Sequence, residues 1–353
     1  MSTSFSIIIV TWNGIRHLKR YLPSVVETDY PDFEIIIADN ASTDGSKQWI
    51  QEQFPQCKII TFDKNFGYAG GNNRAVKYAS GDVLLFLNND AKPESDWLKA
   101  LDFRFQNSSA DILQPKIKSV ESPEMFEYAG AAGGMIDRLG YPFCRGRIFD
   151  NVEKDTGQYE EPTSIFWASG SAFAIKKDLF LDAGGFDEDF EFHMEEIDLC
   201  WRCLKMGKTI LYEPKSVVYH LGGGSMDAES PRKVFYNFRN SLNMLTKNLD
   251  RFLIPKIFLR LLLDGAAGLR FLLSGKSSHF LSILKAHFAY YAMAGKMFGK
   301  RRRLKKYSTH KTPENLVHPR LIIFEYFLRG KKTYPELSHE FDAVENRQHD
   351  KSV

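Results

Sequence analysis

The chain begins with four short apolar runs, each ending in a polar cluster. Phe5–Val10 (FSIIIV) leads into Thr11-Trp12-Asn13-Gly14, and Phe33–Ala38 (FEIIIA) into Asp39–Gly45. Cys57–Phe62 leads into Asp63–Gly67, and Asp82–Leu87 into Asn88-Asn89-Asp90. Short apolar runs bounded by turn formers predict strands buried on both faces. Between the first two runs, Leu18, Leu22, Val25 and Val26 recur at helical spacing; Trp49, Ile50 and Phe54 do so after the second, and a third helix is expected near Gly70–Ala79. Strands alternating with helices in this way predict a right-handed, mainly parallel α/β sheet flanked by helices. Another helix is expected over 91–110. From about 111 to 165, Pro and Gly break the pattern, which predicts a strand near Ile112, a hairpin or two, and a mobile loop around Asp150–Glu161. Regularity returns in Phe166–Ile175, a short helix (Lys177–Ala183), a helix over Met194–Met206, and two strands, Thr209–Tyr212 and Val217–His220.

Past Gly224 the pattern is helical only. Leu253–Leu273 is the most apolar stretch, but Lys256, Arg260, Asp264 and Arg270 interrupt it, so it is not expected to span a membrane. Charge changes the picture here. From Arg232 to Lys306 there are 17 Lys and Arg against only Asp250 and Asp264, in a chain whose net charge is +3. Two regions with different partners are expected: an α/β region over 1–225 and a basic helical region over 226–353. Basic amphipathic helices predict a peripheral position on an anionic membrane surface, with Lys300–Lys306 (KRRRLKK) as the electrostatic anchor. The plainer alternative is a helical bundle with a solvated basic face. No aromatic-studded basic groove is present, so nucleic acid is not an expected partner. The polar end from about Ser338 is expected to fray. Four cysteines in a chain of 353 residues make no disulfide framework, and no leader-like N-terminus is read, so the cytosol is the expected compartment.

The first strand-to-helix turn, TWNG, is neither a dinucleotide fingerprint nor a P-loop. Cys200-Trp201-Arg202-Cys203 lies within a helical pattern and reads as core packing; one such pair is half a zinc site. The remaining chemistry sits at strand ends: Thr11 and Asn13, then Asp39 and Asp44, then Asn65, then Asn88, Asn89 and Asp90. In open α/β sheets ligands bind outside the carboxyl ends of the strands. A carboxylate at the second end suits a base or ribose, and one at the fourth suits a divalent metal, Mg²⁺ or Mn²⁺, bridging a diphosphate. Glu195-Glu196-Ile197-Asp198 puts three acids at a helix start, where mutual repulsion raises at least one pKa. A solvated acidic helix start facing the dipole is the bland reading of that cluster.

The ordered series SIIIVTWNG, IIIADNASTDGS, NFGYAGGNNRA, GDVLLFLNND, GGFDEDF and EEIDLCWR, over about residues 4–225, resembles the inverting GT-A nucleotide-sugar glycosyltransferases of family 2, most of all the bacterial rhamnosyltransferase type. The resemblance implies a GT-A fold with a helical C-terminal extension. It implies that Thr11, Asn13 and Asp39 hold the nucleotide, and that the loop from Asn65 to Gly71, with Asn72 and Asn73 opening the next helix, lines the same pocket. Asn88-Asn89-Asp90 stands where the family carries its D-x-D metal motif, with a single acid, Asp90, and His220 resembles the late histidine that completes the metal shell. Glu196 aligns with the catalytic base; Asp198 competes for that role but is spaced to pair with Arg202 at i,i+4, and Glu195 adds charge beside them. Asp187 would order the preceding loop, and Trp167 is a sugar-ring wall or core. The implied reaction moves a sugar, rhamnose from dTDP-rhamnose as first choice, to a glycan or lipid-linked glycan acceptor at the inner face of the membrane. The rivals are a sugar nucleotidyltransferase and a nucleotide-sugar-binding protein with weakened catalysis.

Overall fold

A computed structural model describes residues 2–222 and 230–338. The four predicted runs are strands β1 (Phe5–Thr11), β2 (Phe33–Asp39), β3 (Lys58–Thr61) and β4 (Val83–Leu87). They pair in parallel in the order β3-β2-β1-β4, and every residue of β4 is buried. The sheet continues through β5 (Ala91–Pro93), β6 (Ile112–Ser119), β11 (Thr163–Ser164), β12 (Ala172–Lys176) and β13 (Ile210–His220). β12 runs antiparallel between β4 and β6, and β13 runs parallel to β6. Nine strands in one mostly parallel sheet explain the unbroken apolar runs, since both faces are covered.

Helices α1 (Ile15–Val26), α2 (Ser46–Gln53), α3 (Gly67–Ala75), α4 (Trp97–Asn107), α5 (Lys177–Asp182) and α6 (Glu195–Lys205) follow the expected order. Two expected strands, Thr209–Tyr212 and Val217–His220, are one strand with an irregularity between Glu213 and Val217. Phe166–Ile175 is strand only at its end, in β12.

The broken region folds into a second sheet of β7 (Gly134–Asp137), β8 (Pro142–Cys144), β9 (Arg147–Ile148) and β10 (Asn151–Val152). The loop expected to be mobile around Asp150–Glu161 is anchored instead. Asp155 pairs with Lys116 and Lys118 at 3.3 and 3.2 Å, and Tyr159 is buried beneath the Arg145 guanidinium. Charge pairs between residues 37 or more positions apart are invisible to local pattern reading.

The C-terminal region contains α7 (Pro231–Asn248), α8 (Leu253–Leu273), α9 (Ser277–Tyr307) and α10 (Ile322–Phe327). It is not purely helical: β14 (Val317–His318) pairs in parallel with β7 and completes the second sheet. α8 is pinned to that sheet by Arg260, which donates to Leu139 O (3.0 Å), lies over the Tyr141 ring and pairs with the fully buried Asp264 at 2.8 Å. Among the described residues no helix is long and apolar enough to cross a membrane. Gly223, Gly224 and the segment past Ser338 lie outside the described residues.

Candidate active site

The strand ends form one continuous polar edge. Thr11, 1% exposed, closes β1, and its Oγ1 accepts from Asn89 Nδ2 (3.0 Å), tying the first strand end to the fourth. Gly14 follows at close quarters; a Cβ there would overlap both Asn89 Nδ2 and Thr11 Oγ1. Gly14→Ala is therefore expected to push the Thr11–Asn89 pair apart and weaken the affinity of whatever ligand this edge holds about tenfold, for the loss of roughly one such hydrogen bond, with the melting temperature near wild type. Calorimetric titration of candidate ligands checks this.

Asn13 is left-handed (φ 50°) and Ala41 likewise (φ 61°), so both turns store backbone strain at this edge. The Asn13 amide donates to Ser42 Oγ and its Oδ1 accepts from Thr43 N–H, joining the two turns. Asp39 is buried; its Oδ1 accepts from Ser42 N–H (3.0 Å), and its Oδ2 has no hydrogen-bond partner among the described residues. Asp44 instead caps α1 through Ile15 N–H (2.8 Å) and is structural. Asn65 closes an exposed turn by accepting from Gly67 N–H (2.8 Å). Gly71 lets α3 approach β1, since a Cβ would lie 2.9 Å from Val10 Cγ1. Asn72 donates to Tyr68 O within its own helix, while its buried Oδ1 has no hydrogen-bond partner among the described residues. Asn73 turns away and clamps the Gly-Gly-Phe-Asp loop through both atoms of Phe186's backbone.

At the fourth strand end, Asp90 is 4% exposed and its Oδ1 lies 3.0 Å from His220 Nε2. Burial would raise the Asp90 carboxyl, but His220 and more distant His17 outweigh it and hold it below the usual carboxylate range. For His220, burial disfavours charge, yet Glu127 (3.4 Å from Nδ1, without hydrogen-bond geometry) and Asp90 raise its pKa to about 10. The Asn88 amide lies 3.2 Å from the same Nε2. Glu127, far from any motif, had no sequence signal.

The same pair fits a divalent cation. Oxygen and nitrogen ligands bind Mg²⁺ or Mn²⁺ at about 2.1 Å, so two adjacent positions of an octahedral ion are roughly 3 Å apart. Asp90 Oδ1 and His220 Nε2 have that separation. Nε2 must first give up its proton. Among the described residues no group of three or more His, Cys, Asp or Glu converges on one point, so substrate oxygens and water would supply the remaining positions.

The acidic helix start separates into three roles. Asp198 is fully buried and accepts from Arg202 Nε (2.9 Å), Lys247 Nζ (2.8 Å) and Asn248 Nδ2 (2.8 Å), so the predicted i,i+4 pair is present and this carboxylate is committed to structure. Glu195 is buried, its Oε2 has no hydrogen-bond partner among the described residues, and burial, then Glu196, push its carboxyl well above the usual range. Glu196 is partly exposed; burial of its carboxyl raises it to about 7, against the pull of backbone N–H groups at the helix start. A Cβ built on Gly170 would sit 3.9 Å from Glu196 Cδ and 3.4 Å from Tyr68 Oη. Asn88 N–H donates to Ser171 O (2.9 Å), so the Gly170–Ser171 segment links the base candidate to the fourth strand end. Tyr68 Oη donates to Gly170 O at 2.8 Å. Trp167 takes the core alternative: it is 3% exposed, its Nε1 donates to Met135 O, and Gly134 packs on its ring. Cys200 and Cys203 are buried, and Cys200 Sγ accepts from Ala168 N–H.

The helical region builds the backbone under these acids. Glu191, His193 and Met194 all have positive φ (62°, 65° and 71°) just before α6. The Asn240 amide on α7 donates to the carbonyls of Phe190, Phe192 and His193 at 2.7, 2.7 and 3.0 Å, and Arg239 reaches Asp189 O and Phe190 O. Asp187 is gripped by Lys247 and Lys300, which outweigh its burial and hold it below the usual range. Lys300 and Arg301, both within the predicted electrostatic anchor, make contacts inside the protein, Arg301 donating to Thr246 O.

A family model described as glycosyl transferase family 2 matches residues 6–182, and the chain belongs to that family. The chain is 28% identical over 228 residues to the O-antigen biosynthesis protein RfbC of Myxococcus xanthus, a match covering 63% of this chain and 18% of RfbC. It is 27% identical over 239 residues to the N-acetylglucosaminyl-diphospho-decaprenol L-rhamnosyltransferase of Mycobacterium tuberculosis (strain ATCC 25618 / H37Rv), covering 62% of this chain and 76% of that protein. Its fold is similar to the crystal structure of GalNAc-T7 with UDP, GalNAc and Mn²⁺ (TM-score 0.55, 19% identity, 70% of this chain and 48% of that one), which supports the GT-A architecture.

Proposed function

We propose that this chain transfers one sugar, with inversion, from a nucleoside diphosphate donor to a glycan or lipid-linked glycan acceptor. The observation that carries the reading is Glu196, a carboxyl with its pKa raised to about 7 by burial, near Gly170, whose neighbour Ser171 accepts from Asn88 N–H at the strand end leading to Asp90, itself 3.0 Å from His220. Asp39 and the Thr11–Asn89 pair would hold the nucleoside end. Glu196 would take the acceptor hydroxyl's proton as that oxygen attacks the anomeric carbon from the face opposite the diphosphate, which inverts the centre. Asp90 and His220 would hold Mg²⁺ or Mn²⁺, which when bound neutralises charge on the departing diphosphate. Rhamnose from dTDP-rhamnose is the first donor to test and a polyprenyl-diphosphate-linked sugar the first acceptor, on the strength of the rhamnosyltransferase relative.

A panel of nucleotide sugars with divalent metal tests this by release of free nucleoside diphosphate. Asp90→Ala is expected to lower kcat/KM about 10²–10³-fold. Release that continues unchanged in this variant removes the metal-end assignment. A nucleotidyltransferase would instead release pyrophosphate from a nucleoside triphosphate, and a binding protein would hold the donor without turnover.

A further inference from the structure

We infer that the α8–α9 hairpin is a docking face for an anionic lipid bilayer, entered through exposed apolar side chains rather than through the Lys300–Lys306 run alone. On α8, Ile254, Phe258, Leu262 and Leu269 recur at three- and four-residue multiples and are all exposed, Phe258 at 63%. On α9, Leu281, Leu284 and Phe288 recur in the same manner, with Phe288 72% exposed. At 3.6 residues per turn, the α9 stripe lies opposite the buried Ile283, Ala286 and Tyr290, and the α8 stripe lies about a third of a turn from the buried Ile257, Arg260 and Asp264. Scattered exposed leucines are ordinary, but two apolar stripes on one hairpin mark a contact surface.

Charge identifies the occupant. Over 253–307 the only acidic residue is Asp264, which is fully buried against Arg260. The exposed surface of the hairpin therefore carries apolar and cationic groups without a single carboxylate, and Lys285, Arg302, Arg303, Lys305 and Lys306 are exposed. A second copy of this chain would bring two cationic faces together, which disfavours a symmetric dimer. A bilayer with anionic headgroups satisfies both components at once: side chains enter the headgroup boundary while the flanking cations meet the lipid phosphates. Since no described helix can cross a membrane, the helices lie in the interface. This placement rests on surface composition and is independent of the transfer reaction.

The test is co-sedimentation of the full chain with phosphatidylglycerol/phosphatidylcholine vesicles at physiological salt, without donor or acceptor. The wild type is expected to bind them at least tenfold more tightly than pure phosphatidylcholine. Replacing Phe258, Leu262 and Phe288 together by Ser is expected to lower partitioning about a hundredfold, with an unchanged melting temperature because all three are solvent-exposed. Lys285→Gln and Arg303→Gln are each expected to lower it about fivefold. The proposal is overturned if the wild type does not bind the anionic vesicles or if the triple variant binds as the wild type does. It is equally overturned if sedimentation equilibrium without lipid shows a dimer that the triple variant dissolves.

Discussion

Glu196→Gln is expected to lower the transfer rate about 10²–10⁴-fold while leaving donor affinity near wild type. Glu196 stands at the start of α6; the residue is partly exposed, while its Oε2 is buried and has no hydrogen-bond partner among the described residues, which leaves that oxygen free to accept from an acceptor hydroxyl. Burial has raised its pKa to about 7, which makes it a stronger base than a surface glutamate while still ionised in part at neutral pH. The active form is the carboxylate, so the sign is fixed: kcat/KM rises with pH through about 7 and falls toward tenfold per unit below it. Glutamine keeps size and burial but cannot take a proton. Release of nucleoside diphosphate across a pH series, with donor affinity by calorimetry, measures both effects. A variant with wild-type turnover, or an acidic limb centred on an ordinary carboxylate pKa, would remove Glu196 from the role.

Asp198→Ala is expected to act on stability, by about 3–5 kcal/mol. The carboxylate is fully buried and meets two cations whose side chains are themselves 6% and 3% exposed, Arg202 and Lys247. Removing it leaves Lys247 with Asp187 alone, and leaves Arg202 with the carbonyls of Ala183 and Gly185. Buried positive charge without a counter-charge is the costly outcome. The urea midpoint measures the loss. Turnover per folded molecule separates this role from that of a base: a base variant stays stable and loses turnover, whereas this variant loses stability first. An unchanged midpoint would contradict the structural assignment.

The parallel half of the fold was legible because it is locally encoded. Each strand from β1 to β4 is a continuous apolar run, and each polar cluster lies at a carboxyl end, so strand direction alone placed Thr11, Asp39 and Asp90 on one edge. The region from 111 to 165 was not legible in the same way. Its two- to four-residue strands are too short for any period, and Asp155 is held by Lys116 and Lys118, more than thirty positions away. Tyr68 and Glu127 reach the site by folding, with no spacing pattern to mark them.

By itself, the sequence determined the α/β unit, the helical region, the polar edge at the strand ends and the acidic cluster at the start of α6, because periodicity and strand-end position are local properties. Only the tertiary structure decided what each carboxylate does. Glu195, Glu196 and Asp198 are chemically alike and nearly adjacent, yet Asp198 is committed to Arg202, Lys247 and Asn248 while Glu196 retains an unpartnered oxygen. The basic tail was divided the same way: Lys247 and Lys300 turn inward to hold Asp187, while Lys285, Arg302, Arg303, Lys305 and Lys306 remain exposed. Burial and partners set a charge's energy, and both come from chain segments brought together only by folding.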